Sequence, residues 1–198
     1  ILPEESLPAP STARTADGRD TDTARTQHGK QRKGPVFEGA SKAVVIEGLA
    51  LHRDWISTIA RWHFDQWGPL TGSKTIEEHT TFLDNASRRA AVPMVLVASW
   101  DGKPAGSASL LRCDMEIRDG LTPWLGQLFV ASEYRQRGIG AALVRAVATE
   151  AGSNGYRRLY LYTSGQLPRF YERLGWSVRE RVHYLGKERT VMQYDLVA

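Results

Sequence analysis

Over residues 124–151 the chain reads Trp-Leu-Gly-Gln-Leu-Phe-Val, then Ala-Ser-Glu-Tyr-Arg-Gln-Arg-Gly-Ile-Gly, then a run rich in Ala, Leu and Val, with Gly152 just beyond it. This predicts a strand over 124–130, a glycine-containing turn, and a helix over 138–151 with Ala142, Leu143, Ala146 and Val147 on one side. A helix N-terminus reached through such a turn offers several unpaired backbone N–H groups and the positive end of the helix dipole. That is a cradle for a phosphate. Gly138 and Gly140 let the backbone approach a pyrophosphate, and Arg135 and Arg137 add positive charge. Two glycines ahead of a helix also suit packing alone, so the segment by itself leaves both readings open. The dinucleotide fingerprint fails because Leu143 stands where a third small residue belongs and no acidic residue closes a following strand. No Gly-Lys-Ser/Thr of a nucleotide P-loop occurs in the chain.

Other elements surround this unit. A β-branched run over 43–46 predicts a first strand. Trp55, Ile56, Ile59, Ala60, His63 and Phe64 recur at helical spacings over 52–67, giving one apolar stripe that Gly68-Pro69 is expected to end. Thr75 followed three residues later by Glu78 predicts an N-cap opening a second helix over 75–87. Residues 94–100 and 106–112 flank Asp101-Gly102, a turn dipeptide that favours a hairpin. A loop over 114–123 leads to the central strand. After the central helix come a strand over 158–163, a short helix over 166–174, and strands over 176–182 and 189–197. The order is mixed α/β with strand concentrated at the end, unlike a uniform alternation of parallel units.

With 198 residues, 41% apolar and 24% charged, the chain suits one ordinary domain. Residues 1–40 are too polar to build a core and are expected to form a flexible tail before a domain over 41–198. That stretch holds six Lys/Arg and six Asp/Glu, so the net charge of +4 belongs to the rest. Outside the cluster from Lys30 to Lys33 the basic residues fall mostly in ones and twos, which disfavours nucleic acid as a partner. No run approaches the ~18 apolar residues of a membrane span, so no membrane partner and a cytoplasmic location are expected. Cys113 is the only cysteine. It excludes an intramolecular disulfide framework and a multi-cysteine zinc site, and is read as a small strand residue. No metal is expected.

The motif Arg135-x-x-Gly138-x-Gly140, following Leu128-Phe129-Val130, resembles the acetyl-CoA pyrophosphate motif of the GNAT superfamily of N-acetyltransferases. Phe170-Tyr171-Glu172-Arg173-Leu174-Gly175-Trp176, placed after Leu159-Tyr160-Leu161-Tyr162, is similar to that superfamily's Phe-Tyr-x-x-x-Gly-aromatic segment. The two motifs cover about fifty residues. The sequence departs from the pattern at Ser164 and Leu167, where many members carry Asn and Ala.

The resemblance implies a twisted mixed sheet of about six to seven strands with about four helices, in which two central parallel strands splay apart around the cofactor. Carried over, Leu128, Phe129 and Val130 line that cleft, with backbone of Leu128 and Val130 toward the pantetheine arm. Gln136, Arg137, Gly138, Ile139, Gly140 and Ala141, with Arg135, hold the pyrophosphate, and Ser164 and Phe170 complete the cofactor site. Tyr171 matches the usual general acid toward the cofactor sulfur. Asp114 and Glu116, in the loop before the central strand, are the candidate bases; His183 and His63 are read as solvated and packed. Trp55, Trp62, Trp67 and Tyr184 suit either an aromatic acceptor cleft or core. The implied activity is transfer of acetyl from acetyl-CoA to a primary amine of a small molecule or peptide, and members often form homodimers. A CoA-dependent sensor without catalysis is the alternative, and a nucleic-acid-binding protein a third.

Overall fold

The computed structural model describes residues 44–71, 75–88 and 92–196. The expected tail over 1–40 lies outside them. The chain opens with β1 (Val44–Gly48), two short 3-10 turns, α1 (Ile56–Thr71) and α2 (Ile76–Ser87). The hairpin β2 (Met94–Trp100) and β3 (Lys103–Leu111) follows, then a loop with a 3-10 turn at Glu116–Arg118, and the central β4 (Trp124–Val130). The second half is α3 (Ile139–Ser153), β5 (Arg158–Thr163), α4 (Pro168–Glu172), β6 (Ser177–Tyr184) and β7 (Lys187–Asp195).

Local chemistry accounts for most of these boundaries. Thr75 caps α2 with a complete capping box: its hydroxyl accepts from the Glu78 amide at 3.3 Å while the Glu78 carboxylate accepts from the Thr75 amide at 2.8 Å. Asp101 and Gly102, both at positive φ, form the two-residue turn between β2 and β3. β3 starts three residues earlier than expected, at Lys103, because its first residues pair across this turn with Ser99 and Trp100. α1 corrects the sequence reading, since it runs on through Gly68-Pro69 to Thr71. Proline there removes one intrahelical donor without ending the helix, so the tertiary setting overrides the local stop signal. Cys113 is corrected too: it stands exposed in the loop beyond β3 rather than in a strand.

The seven strands form one sheet in the order β1-β2-β3-β4-β5-β7-β6, and all neighbours are antiparallel except β4 and β5. Strand alternation divides its side chains between two layers. Leu110, Leu125, Leu128, Val130, Leu159, Leu161 and Met192 face α3 and α4 and join Leu143, Val147 and Tyr171 in the larger core. On the opposite face, α1 and α2 cover Val95 and Val97. Leu111, Met115, Trp124, Tyr160 and Val191 form a third cluster on that face, farther along the sheet. No described helix is long and apolar enough to cross a membrane.

Candidate active site

β4 and β5 meet at a single register position, Trp124 opposite Tyr160, beside a hydrogen bond from the Tyr160 amide to the Pro123 carbonyl at 3.0 Å. Beyond it the two strands form no further ladder pairs. The cause lies on the other side of β4, where Gly126 pairs with Ser109 and Phe129 with Ser107, leaving two residues opposite Ala108 alone. This is a bulge, with Gln127 at φ +52° and its side-chain oxygen accepting from the Ser109 hydroxyl at 2.7 Å. Bulges increase local twist and bend the strand that carries them. The two parallel strands thus part toward their C-terminal ends, and the gap between them is the candidate cleft.

The loop from Ala131 to Gly138 borders one side of this cleft. Gln136 and Gly138 both have positive φ, and Gly138 is the N-cap of α3 in the left-handed region. The Ala142 amide bonds the Gly138 carbonyl at 3.0 Å, so the amides of Ile139, Gly140 and Ala141 belong to the open first turn of the helix. A Cβ on Gly140 would sit 3.7 Å from both the Phe170 ring and Val130, so any longer side chain would fill the space at the helix start. Arg135 donates to the Val130 carbonyl at 3.1 Å, while Arg137 lies over the Trp100 ring at 4.9 Å and reaches the Glu133 carbonyl at 3.5 Å. Both arginines thus brace the loop and keep positive charge at the helix entrance.

Tyr171, on α4, is 2% exposed and packs edge-on against Phe170 and Trp176. Burial pushes its hydroxyl well above the usual tyrosine pKa, and the charge of Asp114 adds to the shift. Asp114 therefore lies near enough to be felt at Tyr171, although 57 positions separate them in the chain. Its carboxylate sits over β4 at Gly126, where a Cβ would fall 2.9 Å from Asp114 Oδ2 and 2.8 Å from Leu111 Cδ1. Glycine there admits the carboxylate to the strand surface. Glu116 is exposed two residues further on. The structure separates these two candidate bases.

The face opposite α3 carries Trp124, Tyr160, Tyr162 and Tyr184, with Trp124 and Tyr162 rings 6.3 Å apart and Tyr162 and Tyr184 rings 5.7 Å apart. Burial, then Asp114, raises the Tyr162 hydroxyl above its ordinary range. The Arg118 guanidinium grips Glu180 of β6 through two bonds of 2.8 and 2.6 Å, holding the Asp114 loop against the far strands. On the α1 side, Phe129 stacks on Trp62 at 5.2 Å and meets the edge of Trp67 at 6.5 Å. His63 is fully buried with Nε2 2.9 Å from the Ser107 hydroxyl, and burial followed by the nearby His79 lowers its pKa to about 3. Trp55 instead stacks on His52, and His183 is exposed.

Leu128 and Val130 point into the core beneath α3 and Phe129 to the opposite face. The Ser164 hydroxyl lies 3.4 Å from an Arg189 nitrogen, and this buried arginine was not anticipated. Its position in a Lys-Glu-Arg run reads as solvated charge, but strand alternation places it on the same face as Val191. Gly126, which interrupts an apolar strand, was the available signal for the bulge and the close approach of Asp114.

Among solved structures, a protein assigned as a GNAT-family acetyltransferase from Desulfovibrio desulfuricans superposes with a TM-score of 0.58 at 25% identity, covering 78% of this chain and 100% of its own. A protein assigned as an acetyltransferase from Salmonella typhimurium, solved with its cofactor acetyl-CoA, gives 0.62 at 17% identity over 78% of this chain and 95% of its own. An aminoglycoside 6'-N-acetyltransferase complexed with coenzyme A gives 0.58 at 18% identity over 78% of this chain and 98% of its own. Comparison with curated protein sequences finds no match. The profile of the Acetyltransferase (GNAT) family matches residues 56–176, more than half of the chain, and the chain belongs to that family.

Proposed function

We propose that the chain is an acetyl-CoA-dependent N-acetyltransferase acting on a primary amine of a small molecule or peptide by direct transfer, with residues 41–198 as its catalytic domain. The observation that carries this is the single-rung junction of β4 and β5, which opens a cleft flanked by the open first turn of α3 and by Tyr171. Structural neighbours solved with acetyl-CoA and with coenzyme A support the same donor.

The residues present fit that donor. The left-handed turn at Gly138 and the unfilled space at Gly140 leave the amides of Gln136 through Ala141 to receive a pyrophosphate, with Arg135 and Arg137 adding charge. Leu128, Phe129 and Val130 would border the pantetheine arm, and Ser164 and Phe170 the far wall. Acetyl-CoA bound there supplies an acyl thioester. Asp114 takes the proton that the amine nitrogen loses as the N–C bond forms. Tyr171 keeps its proton through the neutral range, because burial and Asp114 both raise its pKa, and gives it to the sulfur as the C–S bond breaks. The products are an amide and a free thiol, and proton exchange restores both side chains.

The test is acetyl-CoA-dependent thiol release across a panel of primary amines. Release that requires the amine and yields the N-acetyl product is the expected result. CoA binding without release on any amine would make the chain a CoA-binding module. Steeply salt-dependent DNA binding without CoA affinity would remove the donor as well.

A further inference from the structure

Arg189 lies on β7 next to the C-terminal end of β5 and is only 4% exposed. A buried guanidinium ordinarily meets a carboxylate, because desolvating an unpaired charge is costly. Among the described residues Arg189 has no ion pair. Its Nε donates to the Tyr184 carbonyl at 3.3 Å, one Nη donates to the Ser164 hydroxyl at a long 3.4 Å, and its Cζ lies 5.8 Å from the Tyr162 ring centroid. These are neutral acceptors and a ring face. They orient the planar fork without neutralising it.

The surroundings show what neutral groups and what acid stand nearby. Tyr162, Tyr184 and Ser164 frame the guanidinium; burial and then the charge of Asp114 raise the Tyr162 pKa while Arg189 lowers it, and Tyr184 feels both Glu116 and Asp114. Arg189 thus lies against the Tyr162 ring, and Asp114, seated over Gly126 of the neighbouring β4, is near enough for its charge to be felt there. In the reading given above, Asp114 receives the proton of the reacting amine. An acid group on the same molecule would then lie across the Tyr162 ring, within reach of Arg189.

We infer that Arg189 is the acceptor-recognition residue and that the acceptor is an amino acid, whose carboxylate pairs with the Arg189 guanidinium while its amine faces Asp114. This rests on the proposed acetyl transfer. Arginine suits the task because its fork matches a carboxylate with two parallel hydrogen bonds, which a lysine ammonium does not reproduce. A site built around such a pair rejects an analogue lacking the charge by leaving its own cation unpaired.

The experiment offers the full chain the proteinogenic amino acids, each paired with its carboxamide, plus O-phosphoethanolamine, and follows acetyl-CoA-dependent thiol release. The best acid is expected to exceed its amide at least tenfold in kcat/KM, chiefly through KM. Arg189→Gln should abolish that preference while leaving the KM for acetyl-CoA in place, and Arg189→Lys should restore it only in part. Equal turnover of acids and amides by the unaltered protein overturns the assignment without any variant. So does an Arg189→Gln protein that loses stability but keeps the acid preference, which would make Arg189 a tie for the β6–β7 hairpin. Preference for O-phosphoethanolamine over every acid would replace carboxylate by phosphate and overturn it too. If no amine is turned over, the acetyl-transfer reading fails. Calorimetric binding of the same acids and amides to the CoA-loaded protein then decides the Arg189 assignment on its own: equal affinities reject it.

Discussion

The two rims of the cleft are made of different material. The rim proposed to hold the donor, from Val130 through Gly140, is a stretch of backbone whose shape depends on left-handed residues at Gln136 and Gly138 and on an absent side chain at Gly140. The rim proposed to hold the acceptor is an assembly of side chains. Asp114 comes from a loop, Trp124 and Tyr162 from two parallel strands, Arg189 from an antiparallel one, and Trp62 and His63 from a helix. A backbone cradle is specified by a few contiguous positions and reads as a motif. A wall of side chains from five elements leaves no contiguous trace. It follows that substitutions on the two rims should fail in different ways, the donor rim through cofactor binding and the acceptor rim through turnover or amine affinity.

The strongest test uses the residue that stands between the rims. Tyr171→Phe should lower kcat about a hundredfold, the low end for loss of a general acid, with the KM for acetyl-CoA unchanged. Steady-state kinetics in both substrates checks it, and a shift confined to that KM would move Tyr171 onto the donor rim. Next is Gly126→Ala, whose new methyl would press on Asp114 and on Leu111 Cδ1. Both contacts are side-chain ends that can move, so the fold should survive while kcat falls about tenfold, corresponding to ~1.4 kcal/mol. An unchanged kcat would show that the position of Asp114 is not used.

His63 provides a pH test of the acceptor side. Its native pKa of about 3 lies below the ordinary 6.5. Above pH 6.5 the ring is neutral folded or unfolded and contributes no slope. Below it the unfolded chain takes the proton first, so stability declines as pH falls toward 3, by up to about 1.4 kcal/mol per pH unit. His63→Gln should flatten that decline in urea midpoints measured from pH 7 to pH 4, and an unaltered slope would assign the acid limb to other groups. The smallest effect is expected from Thr75→Ala, which removes the α2 cap and should cost about 1 kcal/mol in thermal or urea unfolding without changing kcat or either KM.

The sequence reading was strongest where local chemistry decides. The α2 capping box, the Asp101-Gly102 turn and the limits of β4 and β5 follow from the residues at those positions. It was weaker where tertiary contacts override local preference. α1 passes through Gly68-Pro69, and a bulge at Gln127 is settled by how β4 meets β3. Asp114 and Glu116 are chemically alike and two residues apart. What separates them is that Gly126 of another strand lies under one of them. Arg189 was hidden for the same reason, since nothing beside it in the chain marks Tyr162 or Ser164 as its neighbours.

The single rung between Trp124 and Tyr160 has a mechanical consequence. The sheet behaves as two leaves, one of β1 to β4 and one of β5 to β7, bound along a spine that is one residue pair long. Besides that pair, the core beneath α3 takes in side chains of both leaves, and the packing around Trp124 and Tyr160 and the clasp between Arg118 and Glu180 join them near the spine. A ligand lying across the open end would act as a second staple at the greatest distance from the spine, where its leverage on the angle between the leaves is largest. Binding of the proposed donor there would then draw the two leaves together at the end opposite the spine.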